Sequence, residues 1–192
     1  MIDDFANPPT RRESPSHEGM LWRAYEPGRD AAPLAALFRA AIQTLAASHY
    51  DAAQRNAWAA VADDVEAFDA RLARGVTLVA EATGAVSCAA SREYAAFGQL
   101  FPCDHVEMLY VAPAWKGRGL ATALIARFEA LAREARAITL DTDASALARP
   151  VFERAGFSLV AQEWVRRGSV SLPRFHLCKP LDAESLAVSL SG

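Results

Sequence analysis

The apolar positions change period several times along the chain, and each change marks an element. Leu21-Trp22-Arg23-Ala24-Tyr25 alternates as a strand does and stops at Pro27-Gly28, a turn signal. Leu34, Leu37, Phe38, Ala41, Ile42 and Leu45 then recur at helical spacing. Asp30 stands at the N-cap position of that helix, and Pro33 falls in its first turn, where the missing N–H costs little. A second helix starts near Asp51, where Asp51-Ala52-Ala53-Gln54 reads as a capping box, and it carries Trp58 and Val61 on its apolar side. Val65, Phe68 and Leu72 make a third helical stretch, closed by Gly75.

Val76–Glu81 is rich in β-formers and is followed by the Thr83-Gly84 turn and Ala85–Ala90, which together predict a hairpin. Phe97–Asp104 predicts a loop carrying two exposed aromatics, Phe97 and Phe101. The run Val106–Ala112 is then almost wholly apolar, interrupted by Glu107, and stops at Pro113. After the basic turn Lys116-Gly117-Arg118-Gly119, an amphipathic helix sets Leu120, Leu124, Phe128, Leu131 and Ala135 on one face. Ile138-Thr139-Leu140 follows as a short strand, so this region reads as a βαβ unit with parallel strands. Asp143–Arg154 predicts a short helix, regular only from near Arg149 because Pro150 belongs in a first turn, and Gly156-Phe157 closes it. Ser158–Ala161 and Ser169–Leu172, with His176–Cys178 beyond, predict closing strands around Arg166-Arg167-Gly168. Helices and strands in this order predict a mixed α+β fold. Residues 1–19 read as a flexible leader, with Met20 as an alternative start, residues 20–181 as one domain, and residues 182–192 as a frayed tail.

Composition narrows this picture. At 192 residues and 52% hydrophobic content the chain can bury one sizeable core. A net charge of −3 and a pI near 5.8 call for no basic face, so nucleic acid is not the expected partner. The sequence lacks an apolar run of about 18 residues, and no membrane span is expected. The N-terminal stretch has no apolar core of a signal peptide. Cys88, Cys103 and Cys178 lie far apart with no C-x-x-C pair, which suits a reducing, cytoplasmic location.

Two features carry candidate chemistry. The Gly-rich turn opening a helix offers the free amides of Gly117–Thr122 at a positive helix end, a site for a phosphate or pyrophosphate. Its bland alternative is a tight turn with no ligand. A dinucleotide fingerprint fits poorly, because Thr122 occupies the third glycine position. Glu107 is a carboxylate in an apolar strand; burial there would raise its pKa and make it a base for an ammonium proton. The alternative is an ion pair with Arg118 or another arginine. His105 shares its face by period two, but His-x-Glu is too little for a metal site, and no metal is expected.

Lys116-Gly117-Arg118-Gly119-Leu120-Ala121 resembles the signature of the GNAT superfamily of N-acetyltransferases: Gln or Arg, two residues, Gly, one residue, then Gly or Ala. Gly119 and Ala121 match, and Lys116 stands in for Gln or Arg. Leu109-Tyr110-Val111-Ala112-Pro113 is similar to the family's strand ending, and Val151–Phe157 to its later helix and Gly-Phe turn. Tyr50–Trp58 is similar to a bacterial branch with poorly defined substrates.

The resemblance covers about residues 20–180 and implies a three-layer fold whose mostly antiparallel central sheet splays between strands 106–112 and 138–142. It implies acetyl-CoA in that gap, with Leu109 and Val111 offering backbone groups to the pantetheine and acetyl carbonyl. Lys116, Gly117, Arg118, Gly119, Leu120, Ala121 and Thr122 would hold the pyrophosphate. The implied reaction moves an acetyl group directly to an amine, on a small molecule or a peptide, with Glu107 as base. A cysteine-linked route is disfavoured, since Cys88 has no evident base nearby. Two positions depart from the family. Phe152 stands where many members have a Tyr that protonates the thiolate, and a phenyl ring has no proton to give, which leaves Tyr110, Tyr94 or water. Ser145 stands where Asn is common. Both remain expected neighbours of the cofactor. Tyr50, Trp58, Phe97 and Phe101 are candidates for the acceptor wall, with ordinary core packing as the alternative. A homodimer is compatible with the resemblance, and a non-catalytic acyl-CoA-binding or sensor module is the alternative function.

Overall fold

A computed structural model of the chain describes residues 19–82 and 93–181. Seven strands form one sheet: β1 (Met20–Ala24), β2 (Val76–Ala82), β3 (Glu93–Leu100), β4 (His105–Val111), β5 (Thr139–Ala144), β6 (Ser158–Arg167) and β7 (Val170–Pro180). Their spatial order is β1-β2-β3-β4-β5-β7-β6. Neighbours run antiparallel except β4 and β5, which are parallel. This is the mixed, mostly antiparallel sheet flanked by helices that the sequence predicts.

Strand alternation divides the core between two faces. Val79, Phe97 and Met108 pack with Leu34, Phe38, Phe68 and Leu72 from helices α1 (Ala31–Leu45) and α3 (Val65–Leu72). Ala80, Ala96, Val106 and Leu140 face the other way, onto Leu120, Leu124 and Phe128 of α4 (Leu120–Glu134) and Phe152 of α5 (Arg149–Arg154). The short α2 (Ala52–Ala59) starts with the expected capping box: Asp51 accepts from the Gln54 amide at 2.8 Å, and the Gln54 side chain accepts from the Asp51 amide at 3.1 Å.

Three expectations are corrected. Phe97–Leu100 is not loop but the inner strand β3, paired on both sides, and Phe97 is fully buried. Gly98 and Gln99 disguise it. Gly98 is needed because a Cβ there would lie 2.8 Å from the Phe128 ring and 2.9 Å from the Met108 carbonyl oxygen. Gln99 is buried because its amide donates to the carbonyls of Arg71 and Leu72 at 2.8 and 3.0 Å. Secondly, Asp30 sits at the N-cap position of α1 but makes no capping bond. Its carboxylate instead takes a forked pair from Arg23 at 2.6 and 2.8 Å, the Glu26 amide at 2.8 Å and the Tyr94 hydroxyl at 2.9 Å. Thirdly, the closing strands β6 and β7 run longer than the short apolar segments suggested, because β7 is inserted between β5 and β6 and pairs with both. The predicted second hairpin strand at 85–90 lies outside the described residues, as do the leader up to residue 18 and the tail from 182.

Two consequences can be measured. Gly98→Ala forces the Phe128 ring or the strand aside and is expected to cost about 1–3 kcal/mol, read as a lower midpoint in urea unfolding. For Asp30, burial alone would raise the carboxyl's pKa, but Arg23, the Glu26 amide and Tyr94 outweigh it and hold it below the ordinary 3.8. A group depressed on folding adds stability above its unfolded pKa and loses it as the pH falls through the folded value. The Asp30 carboxyl carbon should therefore titrate below pH 3.8 in an NMR pH series, with the melting temperature falling over the same acid limb.

Candidate active site

The site begins where the sheet comes apart. Among the described residues, β4 and β5 pair only at His105–Asp141 and Val106–Thr142. Thr142 Oγ1 donates to the Val106 carbonyl at 2.8 Å, fastening the last point of contact. Beyond it β4 remains bonded to β3, with the Ala112 amide donating to the Ala95 carbonyl at 2.9 Å. Backbone groups alternate sides along a strand, so the Val111 and Leu109 amides point the other way, into the gap. A cleft of about 100 Å³ lies there, lined by Leu109, Tyr110, Val111, Ser145, Ala148 and Phe152 among others. Phe152 is buried with its ring edge-on to Phe157, 5.1 Å between centroids. Ser145 Oγ accepts from the Ala148 amide at 3.1 Å, securing the loop into α5.

At the end of β4 the chain makes a short 3-10 turn, Pro113–Trp115, then enters α4 through Gly117 at φ +79° and Gly119 at φ +78°. Those left-handed conformations are open to glycine and strained for other residues. The helical ladder opens with the Ala123 amide on the Gly119 carbonyl, leaving the Leu120, Ala121 and Thr122 amides without intrahelical partners. Gly119 brings no side-chain cap, and the first turn contains no acidic residue. The Arg118 guanidinium lies over the Trp115 ring, 4.5 Å from its centroid, and Lys116 is exposed beside it. Leu120 contributes only backbone, since its side chain is buried in the core. A positive helix end with bare amides, next to a free strand edge, fits a pyrophosphate followed by an extended amide-bearing arm.

On the other side of β4 a second cavity, about 140 Å³, is lined by Phe38, Tyr50, Trp58, Tyr110, Glu107 and His105 together with residues of β6 and β7. Strict alternation would put Glu107 and Tyr110 on opposite faces. A β-bulge brings them together: Met108 is opposite Gln99 and Val106 opposite Leu100, so Glu107 has no partner across β3 and its side chain is re-aimed. Glu107 is not the isolated carboxylate in apolar surroundings that the sequence suggested. It is 23% exposed, it is ion-paired with Arg71 of α3, and its other oxygen lies 3.6 Å from His105 Nε2. His105 Nδ1 is in turn bonded to Asp141.

Trp58 Nε1 donates to the Tyr110 hydroxyl at 3.2 Å, leaving the phenol's own proton for another acceptor. Burial pushes the Tyr110 hydroxyl up to about 12, so it is protonated at neutral pH. Tyr50 and Trp58 meet edge to face at 5.4 Å, and the Tyr50 hydroxyl accepts from the Ala146 amide at 2.9 Å and donates to the Pro173 carbonyl at 3.3 Å. The aromatic wall is thereby braced against both the β5–α5 loop and β7.

Of the expected wall residues, Tyr50 and Trp58 line this cavity and Phe97 and Phe101 do not. Phe97 lies behind the cavity, its ring stacked on Tyr110 with centroids 5.4 Å apart, and Phe101 sits under the Arg74 guanidinium beyond the end of β3. Tyr94 is likewise away from the site, on Asp30. Arg71, Asp141, Asp143, Arg167 and Arg174 were not legible as site residues, since no local spacing joins segments so far apart in the chain. Among the described residues, no group of three or more His, Cys, Asp and Glu side chains is arranged to hold a metal ion, and no helix is long and apolar enough to cross a membrane.

This geometry agrees with what known proteins show. The model of the acetyltransferase (GNAT) domain matches residues 46–173. YafP of Escherichia coli strain K12, an uncharacterised N-acetyltransferase, is 31% identical over 156 residues, covering 81% of this chain and 92% of YafP. The crystal structure of a GCN5-related N-acetyltransferase from Rhodopseudomonas palustris is 35% identical, with a TM-score of 0.77 over 83% of this chain and 94% of that one. PaiA N-acetyltransferase of Thermoplasma acidophilum, solved in complex with coenzyme A, shares the fold at 14% identity, with a TM-score of 0.64 over 84% of this chain and 98% of PaiA. The splayed sheet, the glycine-bearing turn into α4 and these matches agree, and the chain belongs to the GNAT family of acetyltransferases.

Proposed function

We propose that the protein is an N-acetyltransferase that moves an acetyl group from acetyl-CoA to an amine by direct transfer, with both substrates bound at once. The observation that carries this reading is the pair of cavities that meet across β4, one on its free edge and one on its aromatic face, with Tyr110 lining both. Acetyl-CoA, when bound, supplies the acetyl thioester. The chain's own residues do the rest. The amides of Leu120, Ala121 and Thr122, with Lys116 and Arg118, hold the pyrophosphate. The edge of Leu109 and Val111 holds the pantetheine arm, and the Val111 amide polarises the acetyl carbonyl as an oxyanion hole does. Glu107 takes the proton from the attacking ammonium, and His105, held by Asp141, stands ready to pass it on. Tyr110 gives its proton to the leaving thiolate, replacing the Tyr that Phe152 cannot be.

Calorimetry with acetyl-CoA, followed by thiol release over a panel of amines, tests the reading. Binding accompanied by turnover on at least one amine is expected. Binding without turnover on any amine would instead favour an acyl-CoA sensor, the reading that Phe152 supports.

A further inference from the structure

The acceptor cavity is lined by three arginines from three separate elements: Arg71 on α3, Arg167 at the end of β6 and Arg174 on β7. Two are neutralised. Arg71 is paired with Glu107, and Arg174 with Asp143 at 3.3 Å and Glu163 at 2.5 Å. Arg167 has no ion pair or hydrogen bond from its side chain among the described residues. It is nevertheless turned inward, because on β6 Val165 and Arg167 are partly covered and line the cavity while Arg166 between them is exposed. Its positive field, like that of Arg71, reaches the Tyr110 hydroxyl. A guanidinium held beside apolar aromatic walls, without an ion-pair partner of its own among the described residues, is a ready fork for a planar oxyanion.

Resting on the transferase reading above, we propose that the acceptor is an amine that also carries a carboxylate, an amino acid or a close relative of one, with the carboxylate seated on Arg167. Arg167 offers one guanidinium fork without an ion-pair partner of its own among the described residues, and the planar, two-oxygen face of a single carboxylate matches it. The wall of Phe38, Tyr50, Trp58 and Val61 leaves an apolar place for the body of the molecule. Glu107 meets the ammonium at the opposite sign, so the two charges of the substrate fix its orientation toward the thioester.

The experiment compares the proteinogenic amino acids with the amines that remain when each carboxylate is removed, for example L-phenylalanine with phenethylamine and L-leucine with 3-methylbutylamine. The expected result is a kcat/KM at least about 10–100-fold higher for the acid of the best pair, the size of a charge-assisted fork. Arg167→Gln should collapse that ratio toward one, whereas the outward-facing Arg166→Gln, which removes the same charge from the next residue, should keep it. A decarboxylated amine used as well as its parent acid, or a ratio indifferent to Arg167→Gln, overturns the proposal. The transferase reading fails separately: acetyl-CoA binds and no amine releases thiol. Calorimetry of the same acids and amines on the CoA-loaded protein then decides the subsite, tighter binding of acids that is lost in Arg167→Gln upholding it and the absence of that difference overturning it.

Discussion

Glu107→Gln is expected to lower kcat by about 100–1000-fold while leaving the acetyl-CoA dissociation constant unchanged. The substitution keeps the shape of the side chain and an oxygen that can still accept from Arg71, so α3 and β4 stay joined. It removes the group that accepts the ammonium proton. It also removes the carboxylate that His105 Nε2 faces at 3.6 Å, so the route onward through Asp141 is cut at its first member. In the proposed reading the coenzyme is held by backbone groups, the edge of Leu109 and Val111 and the first amides of α4, which the substitution leaves in place even though Glu107 borders the same cleft, and hence the separation between kcat and coenzyme affinity. Single-turnover rates and calorimetry on the variant check both halves. A kcat within about threefold of wild type, with an unaltered pH–rate profile, would remove Glu107 from the chemistry and leave it as the partner of Arg71.

Gly117→Asp is expected to weaken acetyl-CoA binding by about 10–100-fold with little effect on folding. A Cβ at Gly117 meets nothing within 4 Å, so the side chain has room, and Asp tolerates the φ of +79° better than most residues. Two like charges near 4 Å repel by about 4 kcal/mol at an effective dielectric of 20; exposure to solvent reduces this to roughly 1.4–2.7 kcal/mol, which is the range quoted. The carboxylate would also draw Lys116 and Arg118 away from the phosphates. Calorimetry at two salt concentrations checks it, the loss shrinking at higher salt. Affinity equal to wild type would move the pyrophosphate away from this turn. Thermal melts of the free protein guard against misfolding, since a local strain of about 1 kcal/mol in a chain of this size shifts the midpoint by only a few degrees.

These two variants also mark how differently parts of the site could be read from the chain. The cradle is local: Lys116 to Thr122 are consecutive, and a stop, two glycines and an amphipathic helix dictate bare amides at a positive helix end whatever the rest of the molecule does. The capping box at Asp51 and the helix over Ala31–Leu45 are legible for the same reason. Strand β3 was not. A glycine and a buried glutamine look like loop until Phe128 and the carbonyls of Arg71 and Leu72 are known to stand against them.

The amino-acid sequence by itself therefore determined the family, the order of most elements and the glycine-bearing turn that leaves the first amides of α4 bare, because each depends on residues adjacent in the chain or on a helical or strand period. The aromatic cavity on the other side of β4 was decided only by the tertiary structure. A one-residue bulge in β4, set by its pairing with β3, turns Glu107 to the face of Tyr110. The placing of β7 between β5 and β6, with β6 paired along it, brings Val165 and Arg167 of β6 to the lining of the aromatic cavity. Arg71, Asp141 and Arg167 are separated by long stretches of chain, and the strand register that gathers them is a property of the whole sheet, which no local pattern encodes.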